Sequence, residues 1–542
     1  MKESRSLEAS GRGAAIATAG TALSRATGLV RLAATTYALG VTESRLADTY
    51  NLANTTPNMI HELIIGGVLS SVLLRAYIEV KAQDGQEEAF RFIRRVTRAT
   101  TLLLAAISLL VVVAAPAIFK LYTLGSDDSS REAQQALGTI LLQLFVPQIL
   151  FYGLSYITTA VLNAHRRFGV PMFVPALNNL VVTGGLLWFA STISESLRTP
   201  ELVPTRGILI LGIGTTAGVA VQGLLPFLFL RKLGFRWQRG DGIRDPRFGR
   251  LLKMSGFMAG YVATNMVGLW IALILAGRVT GGVASYQYAF VFFQLPHGLL
   301  AVSIATAIFP AMTEKAVAGD LREFSAELGR GLRGVAYFVL PAVAGYLAIA
   351  PQIVALLLEH GVTTEASTEM VATVLRTWAP GIFFFSTFYV LLRGFYALGD
   401  TRTPMKINLV GFAVNVGINL LVVATVDDPQ RQIAGLAAGH GISYAVASAL
   451  ALRAISSRIG AHPAAGYLPA VLKMLSAAAV TGAGAWLAAF GTGQLVDTDA
   501  ISGLLLQVLA ATTAGLLLYA GLSKAMSLEE MRWISTIVKR RR

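Results

Sequence analysis

Two arginines, Arg25 and Arg31, lie inside the first long apolar stretch of this sequence. A cation within the hydrocarbon of a membrane is costly unless it faces a polar cavity or a partner, so such residues usually mark the path of a substrate or an ion. The two arginines therefore predict a transport path for an anionic cargo, provided that the rest of the chain spans a membrane.

The composition places the chain in a membrane. Hydrophobic residues make up 54% of it and charged residues 14%, and the mean hydropathy is +0.61, which is outside the range of soluble globular proteins. A net charge of +15 is what the cytoplasmic loops of a bacterial membrane protein carry, so nucleic-acid binding is not expected. The absence of cysteine excludes disulfides and thiolate metal sites.

Apolar stretches recur along the whole chain. A window of about 20 residues, the length that crosses roughly 30 Å of hydrocarbon, predicts about fourteen transmembrane helices. Their predicted centres are Thr27, Gly67, Leu109, Ile149, Val181, Val219, Met266, Gly298, Gly345, Phe383, Val414, Gly441, Ala479 and Ala511. Pro296 and Pro380 predict bends in the eighth and tenth helices. The predicted fold class is an all-α integral membrane protein.

The loops between the predicted helices alternate in charge. The basic loops include Arg91, Arg166, Arg231, Arg244, Arg330 and Arg453, and the intervening acidic loops include Asp127, Glu195, Glu359, Asp427 and Asp497. Because basic loops remain in the cytoplasm, both termini are predicted to be cytoplasmic and the protein to reside in a bacterial plasma membrane.

Two segments that connect predicted helices are similar. Residues 162–164, Leu-Asn-Ala, precede Pro171 by the same spacing at which residues 395–397, Phe-Tyr-Ala, precede Pro404. This repeat predicts two lobes of six helices related by a pseudo-two-fold axis along the membrane normal. The predicted divisions are residues 1–240 for the first lobe, 241–460 for the second, 461–525 for two extra helices and 526–542 for a basic cytoplasmic tail.

Motifs of soluble enzymes are missing from the sequence. It contains no phosphate-binding Gly-x-x-x-x-Gly-Lys-Ser/Thr loop, which disfavours transport driven by ATP hydrolysis in this chain. Its six histidines show no zinc-binding spacing. We therefore expect no catalysis and no cofactor.

Four stretches carry a family resemblance. Residues 393–404, Arg-Gly-Phe-Tyr-Ala-Leu-Gly-Asp-Thr-Arg-Thr-Pro, resemble the most recognisable segment of the MurJ/MviN family. Residues 24–31 resemble the family's first helix, Pro57 and Asn58 with residues 67–71 its second, and residues 358–361 its loop after the ninth. Members of this family are lipid II flippases of the multidrug/oligosaccharidyl-lipid/polysaccharide exporter superfamily.

The resemblance implies a fold and a cargo. The fold is two six-helix lobes around a V-shaped cavity, with helices thirteen and fourteen forming a groove for a polyprenyl tail. The cargo is undecaprenyl-pyrophosphoryl disaccharide-pentapeptide, lipid II, which is moved from the inner to the outer leaflet. Residues 504–509 and 516–518 supply long apolar side chains for such a groove.

A pyrophosphate needs fixed cations, and arginine pairs with phosphate oxygens in a bidentate manner. Arg25 and Arg31 are the residues that we expect to hold the pyrophosphate. Asp48 is expected to restrain Arg31, and Ser24 and Asn58 to supply polar contacts in the cavity. In a purely structural alternative, Glu62 neutralises Arg25 and Asp48 neutralises Arg31.

The sequence departs from the family pattern at two places. It has His61 and Glu62 where many members carry basic residues after Pro-Asn, and we include both among the expected substrate contacts. Phe290 and Val291 stand where members carry an acidic-basic pair, so the second lobe lacks a cation there. Arg376 in the tenth helix is a substitute for it, although a packing role is equally compatible with the sequence.

The resemblance supplies two driving forces, the membrane potential and a sodium site between helices seven and eleven. Helix eleven offers Asn415 and Asn419, and helix seven offers Asn265, but neither helix carries a carboxylate. Hard cations prefer oxygen ligands that include an anion. We therefore expect movement driven by the potential, with sodium coupling left open.

Other functions remain compatible with the sequence. A flippase for another polyprenyl-pyrophosphate-linked oligosaccharide needs the same cations. A multidrug cation antiporter of the same superfamily needs acidic cavity residues, which the helix-one arginines argue against. A non-transporting membrane scaffold is the third alternative. No protein partner is indicated.

The alternation of loop charge gives a testable topology. Arg91, Arg244 and Arg322 are predicted to be cytoplasmic, and Asp128, Glu365 and Asp499 external. Because the chain has no cysteine, a single introduced cysteine is the only site that a maleimide can label, and its labelling shows on which side of the membrane it lies. Labelling of a cysteine at position 244 by an impermeant maleimide added to intact cells would overturn this orientation, whereas labelling at position 499 is expected.

Overall fold

The structure, a computed structural model, describes residues 2–68, 70–126, 128–165, 167, 169–238, 256–460, 463 and 467–531. Throughout these residues the regular elements are helical, as predicted. The first eight helices are α1 (Lys2–Leu39), α2 (Leu46–Val68), α3 (Ser70–Tyr122), α4 (Asp128–Phe145), α5 (Gln148–Ala164), α6 (Gly169–Thr192), α7 (Thr205–Arg231) and α8 (Gly256–Ala276). The next eight are α9 (Gly282–Pro296), α10 (Val302–Val317), α11 (Leu321–Leu358), α12 (Glu365–Ala397), α13 (Arg402–Thr425), α14 (Pro429–Ile459), α15 (Tyr467–Gly493) and α16 (Ile501–Ala525).

Two pairs of these helices each form one continuous span. Helices α4 and α5 meet at Pro147, and α9 continues into α10 through a π-helical turn at His297–Ala301. Counted this way, the described residues contain fourteen spans, which confirms the predicted number. Eleven of them are long and apolar enough to cross a membrane by composition alone, and α8 is a shorter apolar helix. The protein is therefore a multi-pass membrane protein.

Two prolines and one glycine inside the spans have different effects on helix continuity. The π-helical turn directly follows Pro296, which lacks the N–H of a regular helical bond. Helix α12, in contrast, stays helical on both sides of Pro380. Helix α3 consists of two helices that meet at Gly85. Its φ of 88° and ψ of 175° lie in a region of backbone conformation that residues other than glycine rarely adopt.

The predicted centre of the second helix at Gly67 is wrong. Helix α2 runs from Leu46 to Val68, so its middle lies close to Pro57. The hydropathy average is highest over the apolar residues 63–74, and these include both the end of α2 and the start of α3. The early residues of α2 include polar and acidic side chains, among them Asp48, and composition alone does not reveal that they are buried within the protein.

The chain divides into two compact units. The first comprises Met1–Ala284 with His360–Thr363, and the second comprises Ser285–Glu359 with Thr364–Arg542. The predicted lobe divisions at 240 and 460 stay predictions, since residues 239–255 and 461–462 lie outside the described residues. The same holds for most of the predicted basic tail, of which 532–542 are not described.

In the first unit, α1 packs along α6, α6 along α7, and α5 against both α3 and α7. Helix α8 packs against α2, which explains why the first unit extends beyond residue 240. Arg94 of α3 is fully buried, and it donates to Glu87 Oε1 at 3.0 Å and to the Arg236 carbonyl at 3.2 Å. It thereby holds the segment after α7 against α3.

In the second unit, the long helix α11 packs against α12 and against both C-terminal helices, α15 and α16. The Tyr519 hydroxyl of α16 donates to the Tyr337 carbonyl of α11 at 2.7 Å. Arg333 of α11 donates to two glutamates that follow α16, to Glu530 Oε1 at 2.5 Å and to Glu529 Oε2 at 2.9 Å. These contacts fix the two extra helices to α11.

The repeated connecting segments adopt the same local structure. Helix α5 ends at Ala164 and α6 begins at Gly169, while α12 ends at Ala397 and α13 begins at Arg402, so both connections have the same length. The Arg167 amide donates to the Leu162 carbonyl at 2.9 Å, and the Asp400 amide donates to the Phe395 carbonyl at 2.9 Å. The local repeat is thus present in the backbone, and the pseudo-two-fold relation of whole lobes stays a prediction.

Asp400 stabilises the start of α13. One of its carboxylate oxygens accepts the amides of Arg402 and Thr403, each at 3.0 Å, and the other pairs with Arg458. Partial burial raises the pKa of Asp400, but the hydrogen bonds from Thr403 and Arg402 and the Arg458 charge outweigh it and lower the pKa below its ordinary value. The family-like segment 393–404 is therefore a helix end and a capped helix start.

Candidate functional site

The predicted cations both lie on α1. Arg25 is 14 residues and Arg31 8 residues before Leu39, the last residue of the helix. At the rise of an α-helix these are distances of about 21 Å and about 12 Å along its axis. Arg25 is exposed and Arg31 is half-buried. Across the part of the chain that the structure describes, neither guanidinium has an acidic partner within ion-pair distance.

Helix α6 positions this part of α1. Asn179 Nδ2 donates to the Ser24 carbonyl at 3.1 Å and to Thr27 Oγ1 at 3.2 Å. The Thr27 hydroxyl in turn bonds the Leu23 carbonyl of its own helix at 2.9 Å. Ser24 therefore contributes its backbone to the α1–α6 interface, and its half-buried hydroxyl lies one residue before Arg25.

Three predicted polar residues share one face of α2. Asn58, His61 and Glu62 are spaced at i, i+3 and i+4, which places them side by side on a helix. Asn58 Nδ2 donates to the Asn54 carbonyl at 2.9 Å, which leaves its side-chain oxygen available. Glu62 is exposed. Its predicted ion pair with Arg25, the structural alternative, is not formed among the described residues.

Two tyrosines of α5 complete this cluster. The ring centroid of His61 lies 4.2 Å from that of Tyr152 and 5.1 Å from that of Tyr156. Arg31 lies near enough to Tyr152, and Glu62 near enough to Tyr156, for the charge of each to act on the tyrosine hydroxyl. The cluster thus joins α1, α2 and α5 within the first unit. The sequence analysis missed both tyrosines, although their Tyr-x-x-x-Tyr spacing in an apolar span was a visible signal.

The prediction that Asp48 restrains Arg31 is wrong for this structure. Asp48 is 1% exposed, and its two carboxylate oxygens accept the backbone amides of Gly281 and Ala284, both at 2.8 Å. These amides belong to the start of α9, where a carboxylate satisfies unpaired donors and favours the positive end of the helix dipole. Asp48 is therefore a helix cap in this conformation, and its role as a substrate contact stays a prediction.

Arg45, one helical turn before Asp48, binds the other side of the same connection. Its Nη1 donates to the Gly277 carbonyl at 2.8 Å, just after the end of α8. Ser126 Oγ donates to the same carbonyl at 3.2 Å. The start of α2 thus satisfies both the end of α8 and the start of α9, which explains why this acidic residue is buried.

Two arginines of the second unit lie on α12, Arg376, whose predicted role stays a prediction, and Arg393. Arg376 is exposed, two residues before the fully buried Trp378. A second arginine, Arg393, was not predicted as a site residue. Its guanidinium lies 5.7 Å from the Phe309 ring centroid and 5.1 Å from that of Tyr389, whose hydroxyl it bonds at 2.6 Å.

The three asparagines considered for sodium do not form one group within a unit. Asn415 and Asn419 lie on α13, where Asn419 Nδ2 donates to Asn415 Oδ1 at 3.3 Å, and Asn265 lies on α8 in the first unit. Asn419 Oδ1 is buried without a hydrogen-bond partner. Within the described residues there is no group of three or more histidine, cysteine or acidic side chains that could hold a metal ion.

Comparison with known proteins gives one consistent result. The family model described as lipid II flippase MurJ matches residues 36–502. A probable lipid II flippase MurJ of Vibrio cholerae serotype O1 is 25% identical over 412 residues, covering 75% of this chain and 76% of that protein. The lipid II flippase MurJ of Burkholderia cenocepacia is 26% identical over 465 residues, covering 85% of this chain and 86% of that protein.

Solved structures show the same fold. A structure of lipid II flippase MurJ in an inward closed conformation matches with a TM-score of 0.73 at 20% identity, covering 94% of this chain and 99% of that one. An inward-facing multidrug resistance MATE transporter of the MOP superfamily matches with a TM-score of 0.64 at 14% identity, covering 80% of this chain and 94% of that one.

The structural role of Asp48 gives a prediction about stability. Asp48→Ala leaves two buried amides without partners, so we expect it to lower the free energy of unfolding by about 1–3 kcal/mol. Glu62→Ala, a matched loss of one exposed carboxylate on the same helix, should change it by less than about 0.5 kcal/mol. Melting temperatures of the two purified variants in one detergent measure the difference. Equal melting temperatures would contradict the assigned role of Asp48.

Proposed function

Because the chain belongs to the lipid II flippase MurJ family, we propose that it moves lipid II from the inner to the outer leaflet by alternating access. The observation that carries this proposal beyond family membership is the pair of arginines on α1 that have no acidic partner among the described residues. An unneutralised cation on a membrane-spanning helix needs an anionic ligand or an aqueous cavity.

The chemistry of the two arginines suits a pyrophosphate. A guanidinium presents parallel N–H donors that match two phosphate oxygens, and it stays charged throughout the membrane. Arg25 and Arg31 are six residues apart, which separates them by about 9 Å along the axis and about 120° around it. Two phosphates joined by a bridging oxygen offer acceptors in several directions, so both cations can contribute during reorientation.

The orientation of the chain follows from its loops. We place the basic loops and both termini in the cytoplasm of a bacterial cell and the acidic loops outside. In that orientation the end of α1 that contains Arg31 is nearer the outer surface than Arg25. A headgroup moving outward therefore meets Arg25 before Arg31.

The polyprenyl tail is assigned to α15 and α16. These helices lie after the twelve helices of the predicted repeat, and they pack on α11 of the second unit. They expose long apolar side chains, including Leu505, Leu506, Leu516 and Leu517. An isoprenoid chain can remain in the membrane along such a surface while the headgroup crosses.

For the driving force we favour the membrane potential over sodium. Helices α8 and α13 carry amide oxygens but no carboxylate. Replacement of sodium by choline should leave flipping in proteoliposomes unchanged, whereas collapse of an imposed potential should slow it. A strict sodium requirement that Asn415→Ala abolishes would contradict this assignment.

Substitution of the arginines tests the proposed site. Arg25→Ala and Arg31→Ala should each weaken substrate binding by on the order of 1.5 to 3 kcal/mol, about tenfold to a hundredfold. Lysine should substitute poorly at either position, because it keeps the charge but loses the bidentate geometry. The measurement is complementation of a flippase-depleted bacterial strain, with membrane levels of each variant determined alongside.

Two further variants separate this role from a structural one. Arg206→Ala removes an exposed arginine at the start of α7 and should support normal growth. Because Arg25 and Glu62 form no ion pair here, Glu62→Gln should not rescue Arg25→Ala. Normal growth with well-expressed Arg25→Ala and Arg31→Ala would refute the site, and rescue by Glu62→Gln would make the arginine part of a structural pair.

A further inference from the structure

We propose that His61, Tyr152 and Tyr156 form a carbohydrate-binding subsite beside Arg31, which holds the sugar directly attached to the pyrophosphate. This inference rests on the proposed function and deepens it by assigning a recognition element for the headgroup. It brings in two residues of α5 that the motifs of the sequence do not identify.

The His61 ring contacts both tyrosine rings. Tyr152 and Tyr156 are one turn apart on α5, so they present their rings on the same side of that helix. The His61 ring is tilted by 42° against Tyr152 and by 62° against Tyr156. All three residues are half-buried.

A sugar is complementary to this surface. A pyranose ring has apolar C–H faces and polar edges, so its sites combine aromatic side chains with a few hydrogen-bonding groups. The accompanying polar groups are the exposed Glu62 carboxylate and the Asn58 side-chain oxygen, both of which accept hydrogen bonds from hydroxyl or amide groups. Neither residue is held in an ion pair among the described residues.

The neighbouring cation fixes the order of the ligand. Arg31 lies near enough to Tyr152 for its charge to act on that hydroxyl, so a phosphate bound by Arg31 would be near the aromatic residues. In a polyprenyl-pyrophosphate-linked saccharide the distal phosphate is bonded to the anomeric carbon of the first sugar. The subsite must therefore adjoin the phosphate-binding cation, as it does here.

One buried nitrogen of the cluster has no hydrogen-bond partner among the described residues, as expected of a site whose ligand is not bound. His61 Nε2 is shielded from solvent and has no hydrogen-bond partner among the described residues. A buried polar atom without a partner is unfavourable, and a ligand hydroxyl that displaces one of the flanking rings slightly would supply the bond.

The experiment compares two lipids on the full-length protein. Binding of lipid II and of undecaprenyl pyrophosphate, which lacks sugars, is measured on the purified chain in nanodiscs. Tyr156→Leu keeps an apolar side chain but removes the ring, and should weaken lipid II binding about tenfold while changing undecaprenyl pyrophosphate binding less than about twofold. Arg31→Ala should weaken both, because both lipids carry the pyrophosphate.

Matched variants keep the result interpretable. Phe151→Leu removes a ring of similar size from the same helix, next to Gly223 of α7, and should leave the ratio of the two affinities unchanged. Tyr156→Phe should retain most of the lipid II affinity, since it keeps the ring. Melting temperatures of all variants show that each is folded.

The outcomes separate the two proposals. Equal weakening of both lipids by Tyr156→Leu, or no weakening of either, would overturn the subsite and leave the pyrophosphate site standing. Equal affinity of the wild type for both lipids would overturn the subsite as well. A wild type that binds neither lipid would contradict the proposed function and the subsite with it.

Discussion

A guanidinium ion on a membrane-spanning helix is tolerated only where water, a counter-charge or a ligand replaces the solvation that lipid cannot provide. Among the described residues no carboxylate lies within ion-pair distance of Arg25 or Arg31, although α2 carries acidic side chains. Glu62 stays exposed on α2, and Asp48 is committed to the start of α9. The cationic charge of α1 is thereby left available for an anion.

The surrounding structure is arranged to hold this charge in place. Asn179 of α6 bonds the turn of α1 that carries Ser24 and Thr27, immediately beside Arg25. Farther along, Arg45 and Asp48 tie the start of α2 to the connection between α8 and α9. Residues 360–363 also belong to the first unit, where Thr363 Oγ1 donates to the Thr36 carbonyl at 2.9 Å. The C-terminal part of α1 and the start of α2 are therefore fixed by several parts of the chain.

The sequence was sufficient for the number and kind of helices, because each span must cover the hydrocarbon and so reads as an apolar run. It failed for the centre of α2, since buried polar residues such as Asp48 resemble a loop in a hydropathy average. It placed Arg25 and Arg31 on one helix but could not assign their neighbours. The partners of Asp48 are backbone amides more than 230 residues away in the sequence. Every residue type except proline has such an amide, so the sequence does not identify them.

Local sequence was more informative about backbone than about the site. The repeated connections after Ala164 and Ala397 have the same length and the same hydrogen bond from an amide to the carbonyl five residues earlier, as their proline spacing indicated. Tyr152 and Tyr156 were overlooked because aromatic residues are common in apolar spans, and only their contact with His61 distinguishes them. Which residues lie close together in the fold cannot be read from a single sequence. The two tyrosines are therefore recognised only once the structure shows their contact with His61.

The central claim is that the cations of α1 serve a pyrophosphate lipid and not a cationic cargo. The most direct measurement is transport by the purified chain in proteoliposomes, with fluorescent lipid II and an ethidium-like dye compared in the same preparation. We predict that lipid II reaches the opposite leaflet faster than in protein-free vesicles and that the dye does not move. Dye transport without lipid II movement would contradict the account.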